Sequence, residues 1–248
     1  MKAFFALFRR ELFSLAVAPY VYLLLAIWFL LNGMVFIASL ERPAVQNDLT
    51  LLPQVLFGSQ GLLMWLLIPV FPPLITLRLF AEEQRLGTLE ALLTAPISDA
   101  AVVLAKYLAA CLFFLLFWGG VLLLFLLLQW QGAPIVWSRA AGGFLGALLT
   151  SYLFLGAGLF LSSWSGNLVL AAGGGAAANY FLLILPALLS DVPGPTGAVA
   201  RAIFIPGHLD KAFAAGLLDS FAVAYFLLGA GLFVFLTWVR LVSRRWVP

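Results

Sequence analysis

Lys106-Tyr-Leu-Ala-Ala-Cys-Leu-Phe-Phe-Leu-Leu-Phe-Trp-Gly-Gly-Val-Leu-Leu-Leu-Phe-Leu-Leu-Leu128 is an apolar run whose only charge is its first side chain. At about 1.5 Å per residue, a helix of this length crosses a hydrocarbon core of ~30 Å. The apolar residues follow one another rather than alternating, so the run does not read as a barrel strand. A backbone in lipid must satisfy its own hydrogen bonds, and a helix does so within one segment. Five further runs of similar kind occur, at Pro19–Leu40, 58–77, 140–162, 167–189 and 220–239. The chain of 248 residues is 65% hydrophobic and 9% charged, against about 45–50% and about 25% in soluble domains. The expected fold is all-α integral membrane: six transmembrane helices forming a single transmembrane domain over residues 1–248.

Three segments lie outside the spans. Residues 1–16 place apolar side chains at positions 4, 5, 8, 12 and 15, among Lys2, Arg9, Arg10 and Glu11. No small-residue cleavage site closes this segment, so it is expected to be an amphipathic helix in the membrane interface, leading into the first span. Residues 78–106 hold the longest charged, helix-forming stretch, with Arg78, Glu82, Glu83, Arg85, Glu90 and Asp99. The helix is expected to run on through 79–86, break near Gly87, and restart at Thr88 with Leu89, Leu92 and Leu93 on one side. Pro96 then resets the chain, and Ser98 or Asp99 caps the next helix. Residues 190–219 begin with the turn-rich Asp191-Val-Pro-Gly-Pro-Thr-Gly197. They continue with Leu209, Phe213 and Leu217 at i, i+4, i+8, the spacing of a short amphipathic helix on the outer surface.

Lysine and arginine counting sets orientation. With both termini cytoplasmic, that side holds Lys2, Arg9, Arg10, Arg78, Arg85, Lys106, Arg240, Arg244 and Arg245. The other side holds Arg42, Arg139, Arg201 and Lys211. The excess puts both termini and the 78–106 segment in the cytoplasm, and the protein in the inner membrane. The uncharged turn near 163–166 adds nothing to the count.

Enzyme chemistry finds no constellation. His208 is the only histidine and Cys111 the only cysteine. No GxxxxGK[ST] loop exists to cradle phosphates, because none of Lys2, Lys106 and Lys211 follows a glycine. No cofactor is expected in this chain, nor a metal, nor a nucleic-acid partner. The spans carry weak polar groups only, and Asn32 and Asn179 are candidates either for lining a polar pathway or for interhelical hydrogen bonds. Gly142, Gly143, Gly146, Gly156 and Gly158, with Gly173-Gly-Gly175, suit close helix packing in lipid, or a hinge at the triple glycine. The 78–106 segment has two readings: a solvated loop with i,i+4 ion pairs such as Arg78 with Glu82, or a short rigid helix acting as a lever between two spans.

The stretch Glu82-Glu-Gln-Arg-Leu-Gly-Thr-Leu-Glu-Ala-Leu-Leu-Thr-Ala-Pro-Ile-Ser98, followed by Val103-Leu-Ala-Lys106, resembles the permease subunits of type-2 ABC exporters. Arg10-Glu-Leu-Phe-Ser14 with Pro19-Tyr20 is similar to that family's approach to its first span. His208-Leu-Asp-Lys-Ala-Phe-Ala-Ala-Gly-Leu-Leu-Asp219 is similar to its external segment. Within the family the chain looks most like the gliding-motility and nitrous-oxide-reductase-maturation permeases. The resemblance implies that Arg85, Gly87, Thr88, Leu89, Glu90 and Leu93 form a coupling helix contacting a separate ABC ATPase. It implies that Arg10, Glu82 and Glu83 form a hinge with the interfacial helix. It further implies two permeases and two ATPases, with ATP and Mg bound by the ATPase, and it leaves room for an external accessory protein. Two functions remain open at this stage. One is export of a substrate; the other is transmission of ATPase motion to external partners with no solute moved. The short turn Ser162-Ser-Trp-Ser-Gly166 departs from the family pattern and is expected to be too small for a second contact.

Overall fold

The computed structural model describes residues 2–58, 61, 63–93 and 97–244; of Lys2, Leu63, Met64, Ala91, Leu93 and Arg244 it describes the backbone alone. The described residues are helical wherever they are regular. In chain order the helices are α1 (Lys2–Val17), α2 (Pro19–Leu40), α3 (Pro43–Asn47), α4 (Leu52–Phe57), α5 (Phe71–Leu77), α6 (Glu83–Leu86) and α7 (Thr88–Leu93). They continue with α8 (Asp99–Trp130), α9 (Trp137–Ser162), α10 (Leu168–Leu189), α11 (Pro195–Ala202), α12 (Ile205–His208) and α13 (Ser220–Arg244). Among the described residues six stretches are long and apolar enough to cross a membrane: α2, Trp65–Leu86, α8, α9, α10 and Ser220–Ser243.

The second span differs from expectation. It runs over Trp65–Leu86 rather than 58–77 among the described residues, and the separate helix α4, capped at Gly58, precedes it. The span is also irregular. A π-helical turn at Leu63–Leu67 precedes α5, whose first turn holds Pro72 and Pro73, and a second π-helical turn at Arg78–Glu82 joins α5 to α6. The helix therefore continues past Arg78 as expected, but Leu79, Phe80 and Ala81 are buried in the protein rather than bathed in water.

Span α9 is the centre of the bundle. Its most apolar window is 72% buried, against 22–28% for α2, α10 and the last span, which keep broad faces for lipid. Small residues on α9 make this possible. A side chain at Gly158 would meet Thr76 Oγ1 and, at 3.1 Å, Pro73 Cα, and one at Gly175 of α10 would meet Pro73 Cβ at 2.7 Å. The bent second span is thus gripped between α9 and α10 by backbone proximity, the association force that lipid permits. The glycine-rich stretch of α10 does not behave uniformly. Gly173 faces open space, Gly175 packs, and the helix runs through all three without a break.

Buried polar links tie the spans further. Trp28 Nε1 of α2 donates to the Phe117 carbonyl of α8 at 2.6 Å, within rings of Phe71, Phe114, Phe117 and Trp118. Trp118 Nε1 donates to Ser151 Oγ of α9 at 3.0 Å, and the Tyr107 hydroxyl to the Tyr152 carbonyl at 3.0 Å. With no hydrophobic drive between helices in lipid, such bonds and tight packing carry the association.

Residues 209–217 form a single π-helical turn over Leu209–Phe213 rather than a continuous amphipathic helix. Leu209 and Phe213 are buried, and only Leu217 is exposed. The π-helical turn Leu209–Phe213 docks against α9, where a side chain at Gly146 would meet Phe213 Cβ and Leu209 Cδ2 at 2.7 Å. His208 is half-buried, its ring tilted against Tyr225 with 5.2 Å between ring centroids.

Candidate functional site

The site grows from the foot of the second span. A π-helical turn inserts an extra residue and re-aims the side chains around it. In Arg78–Glu82, Arg78 donates to Glu82 side-on, from Nε to Oε2 and from Nη2 to Oε1, the latter bond being 2.9 Å. Arg78 also lies over the Tyr20 ring of α2, its Cζ 4.7 Å from the centroid, within range of a cation–π attraction.

The adjacent Glu83 faces elsewhere. Its Oε1 accepts from Lys106 Nζ of α8 at 2.8 Å, and the same ammonium lies 3.2 Å from Glu11 Oε2 of α1. The Lys106 side chain is wholly buried, and Glu11 and Glu83 nearly so. Phe80 closes one side, its ring centroid 5.4 Å from Nζ. One ammonium thereby joins three elements: α1, the foot of the second span, and α8. A buried charge of this kind persists only when paired, and removing one partner leaves the other uncompensated.

The turn between α9 and α10 holds the same segment from another side. Gln84 Nε2 donates to the Ser163 carbonyl at 2.9 Å and lies 3.4 Å from that of Ser162. Gly166 approaches the backbone of Arg85 so closely that a side chain there would lie 3.3 Å from its nitrogen. This short turn, expected to be too small for a second ATPase contact, clasps the segment from within the protein, using carbonyls at the C-terminus of α9 that have no partner further along the helix.

Beyond the clasp the chain breaks as its sequence predicts. Gly87 adopts φ +69° and closes α6, a left-handed position that glycine occupies without the steric cost other residues meet. Thr88 restarts the helix, and Ser98 Oγ accepts from Ala101 N at 3.4 Å to cap α8. Leu89 is buried and Leu92 half-buried, while Arg85, Leu86, Gly87, Thr88 and Glu90 are exposed. The side chain of Leu93, and Pro96, lie outside the described residues.

The sequence-derived hinge residues do come together. Arg10, Glu82 and Glu83 line one cleft of about 240 Å³, with Glu11, Arg78 and Thr88. Arg10 itself is exposed at the rim, and the joint is made by Glu11 and Lys106, to which sequence reasoning gave no role. The signal was present: Lys106 stands alone at the head of an apolar run, and a lone cation there requires a partner.

The two asparagines are not brought into one site. Asn179 Nδ2 donates to the Pro69 carbonyl at 2.9 Å, bridging α10 to the second span. Asn32 Nδ2 bonds its own helix at the Trp28 carbonyl, 2.8 Å away, so an interhelical bond is made by Asn179 but not by Asn32 Nδ2.

Among the described residues, six apolar spans carry a charged helical segment braced at one end of the bundle. A family model for ABC-2 family transporter proteins matches residues 9–173, a stretch reaching from α1 into α10, and the chain belongs to that family. It is a permease subunit of an ABC transporter, a class that works with an ABC ATPase. No curated protein matches the chain.

Proposed function

We propose that this chain is the permease of an exporter in the inner membrane, with both termini in the cytoplasm and α7 as its coupling helix. Two copies associate with two ATPase chains, which bind ATP and Mg and perform the hydrolysis. The observation that carries this reading is the exposed rim Arg85–Glu90, held on a segment that Lys106 locks to α1 and α8. A push on such a rim is not absorbed by a flexible loop. It reaches the second span across the Gly87 turn and through α6, α8 and α1 through the buried ammonium, and α9 through Gln84. The α1 face turned from the protein presents Phe5 and Phe13 beside Arg9, the mixture of a helix lying in the headgroup layer.

The test is reconstitution with the partner ATPase in vesicles. Glu90→Lys reverses the charge of an exposed side chain with no buried role, so insertion and folding stay intact while stimulation of ATP hydrolysis is lost. Full stimulation by the variant would sink the assignment of α7 as the coupling helix.

A further inference from the structure

Helix α1 is apolar on two sides. Leu7 and Leu15 are buried in the protein, with Glu11 between them. Phe5, Phe13 and Val17 are 63%, 68% and 57% exposed, and Arg9 is exposed among them. These four recur at every fourth residue, the spacing that sets side chains in a row along one helix face. The height of the row is fixed by the buried ammonium: Lys106 Nζ lies 3.2 Å from Glu11 and 2.8 Å from Glu83. Helix α1 therefore sits level with the end of the second span. Its charges divide the same way as its apolar residues. Glu11 is the one acid of the helix and is taken up by Lys106, whereas Arg9 and Arg10 are exposed. Among the described residues Arg9 has no ion pair.

We propose that this row is a docking face for an anionic phospholipid. The lipid phosphate sits on Arg9, and Phe5, Phe13 and Val17 enter the acyl layer on either side of it. Charge selects the headgroup. A zwitterionic lipid sets its own cation against the neighbouring Arg10, while a headgroup with no cation is drawn by both arginines. The apolar row selects a lipid over a soluble anion, which would leave two phenyl rings and Val17 in water. It also disfavours a second copy of the chain, since the row meeting itself about a two-fold axis brings arginine towards arginine. The proposal rests on the reading of α1 as an interfacial helix and adds to it the headgroup class and the residue that selects it.

The test reconstitutes the full chain in phosphatidylcholine vesicles holding a trace of phosphatidylglycerol with a photoreactive acyl chain. Parallel vesicles hold phosphatidylcholine with the same photoreactive chain, and labelled peptides are mapped after illumination. The phosphatidylglycerol probe labels residues 5–17 in preference to the phosphatidylcholine probe. Arg9→Gln lowers that preference about fivefold, the factor one basic side chain contributes at an anionic surface. Arg9→Lys keeps most of it. Both variants change an exposed side chain outside the Lys106 cluster, so the fold stays intact. Equal labelling by the two probes, or a preference unchanged in Arg9→Gln, overturns the proposal. Labelling of residues 5–17 by neither probe overturns the interfacial reading beneath it. No ATPase takes part, so the permease assignment stands or falls separately.

Discussion

Lys106 shows how far a single side chain is constrained when lipid and protein leave it no water. Its ammonium is wholly buried and meets two carboxylates from different elements. Replacing it with methionine strands Glu11 and Glu83 without a counter-charge, and breaking a buried pair in this way costs about 3–5 kcal/mol. Thermal unfolding in detergent will therefore show a large fall for Lys106→Met, and recovery most of the way when Glu11→Met and Glu83→Met are added. A triple variant no more stable than the single one would mean that the carboxylates are held by something other than this lysine. Gly142 makes a similar point through space rather than charge. A side chain there runs into the Phe213 carbonyl and comes within 3.2 Å of Gly216 Cα. Gly142→Val should cost about 1–3 kcal/mol, as overpacking usually does, read by the same unfolding assay. At this scale the sequence spoke unevenly. It marked the glycines for packing, and Gly142, Gly146, Gly158 and Gly175 pack, because small residues in lipid have few other uses. It was silent on Glu11, whose partner is remote in the chain.

Among the elements, the second span departs furthest from a simple helix. Pro72 and Pro73 cannot supply backbone donors, and π-helical turns stand on both sides of α5. Hydropathy windows average over such irregularity, and so the apolar run at 58–77 begins about two turns ahead of the span, just after α4. At 209–217 the i, i+4 spacing states which side chains share a face and not what the face meets, which for Leu209 and Phe213 is α9. By contrast α6, Gly87 and α7 were legible, because a left-handed glycine between two charged helical pieces leaves a local signature. The clasp at Gln84 was not, for it joins residues 84 and 163 with no pattern in either. Gln84→Leu removes its hydrogen bond to Ser163 and frees the foot of the span from α9. The expected outcome is normal insertion with reduced stimulation of ATP hydrolysis, and unchanged stimulation would confine the clasp to a packing role.

For the whole molecule, the six-span architecture followed from run length and composition, because nothing else accommodates so much apolar surface. Orientation rests on the cation count, and a labelling experiment tests it. The native Cys111 is buried and gives a low background for single-cysteine reporters. Ser98→Cys should react with a membrane-impermeant maleimide only in inverted vesicles, and Gly132→Cys only in intact cells. The reverse pattern would place α7 outside, where no cytoplasmic ATPase could reach it. Above that stands the claim that the exposed rim of α6 and α7 is where an ATPase docks on a segment braced by Lys106. The most direct measurement is gentle solubilisation of the tagged full chain and identification of what co-purifies, for the wild type and for Glu90→Lys side by side. The account predicts a P-loop ATPase chain in equal amount with the wild type and its loss from the variant. A stable wild-type oligomer that comes down alone, or an ATPase retained equally by both, would contradict it.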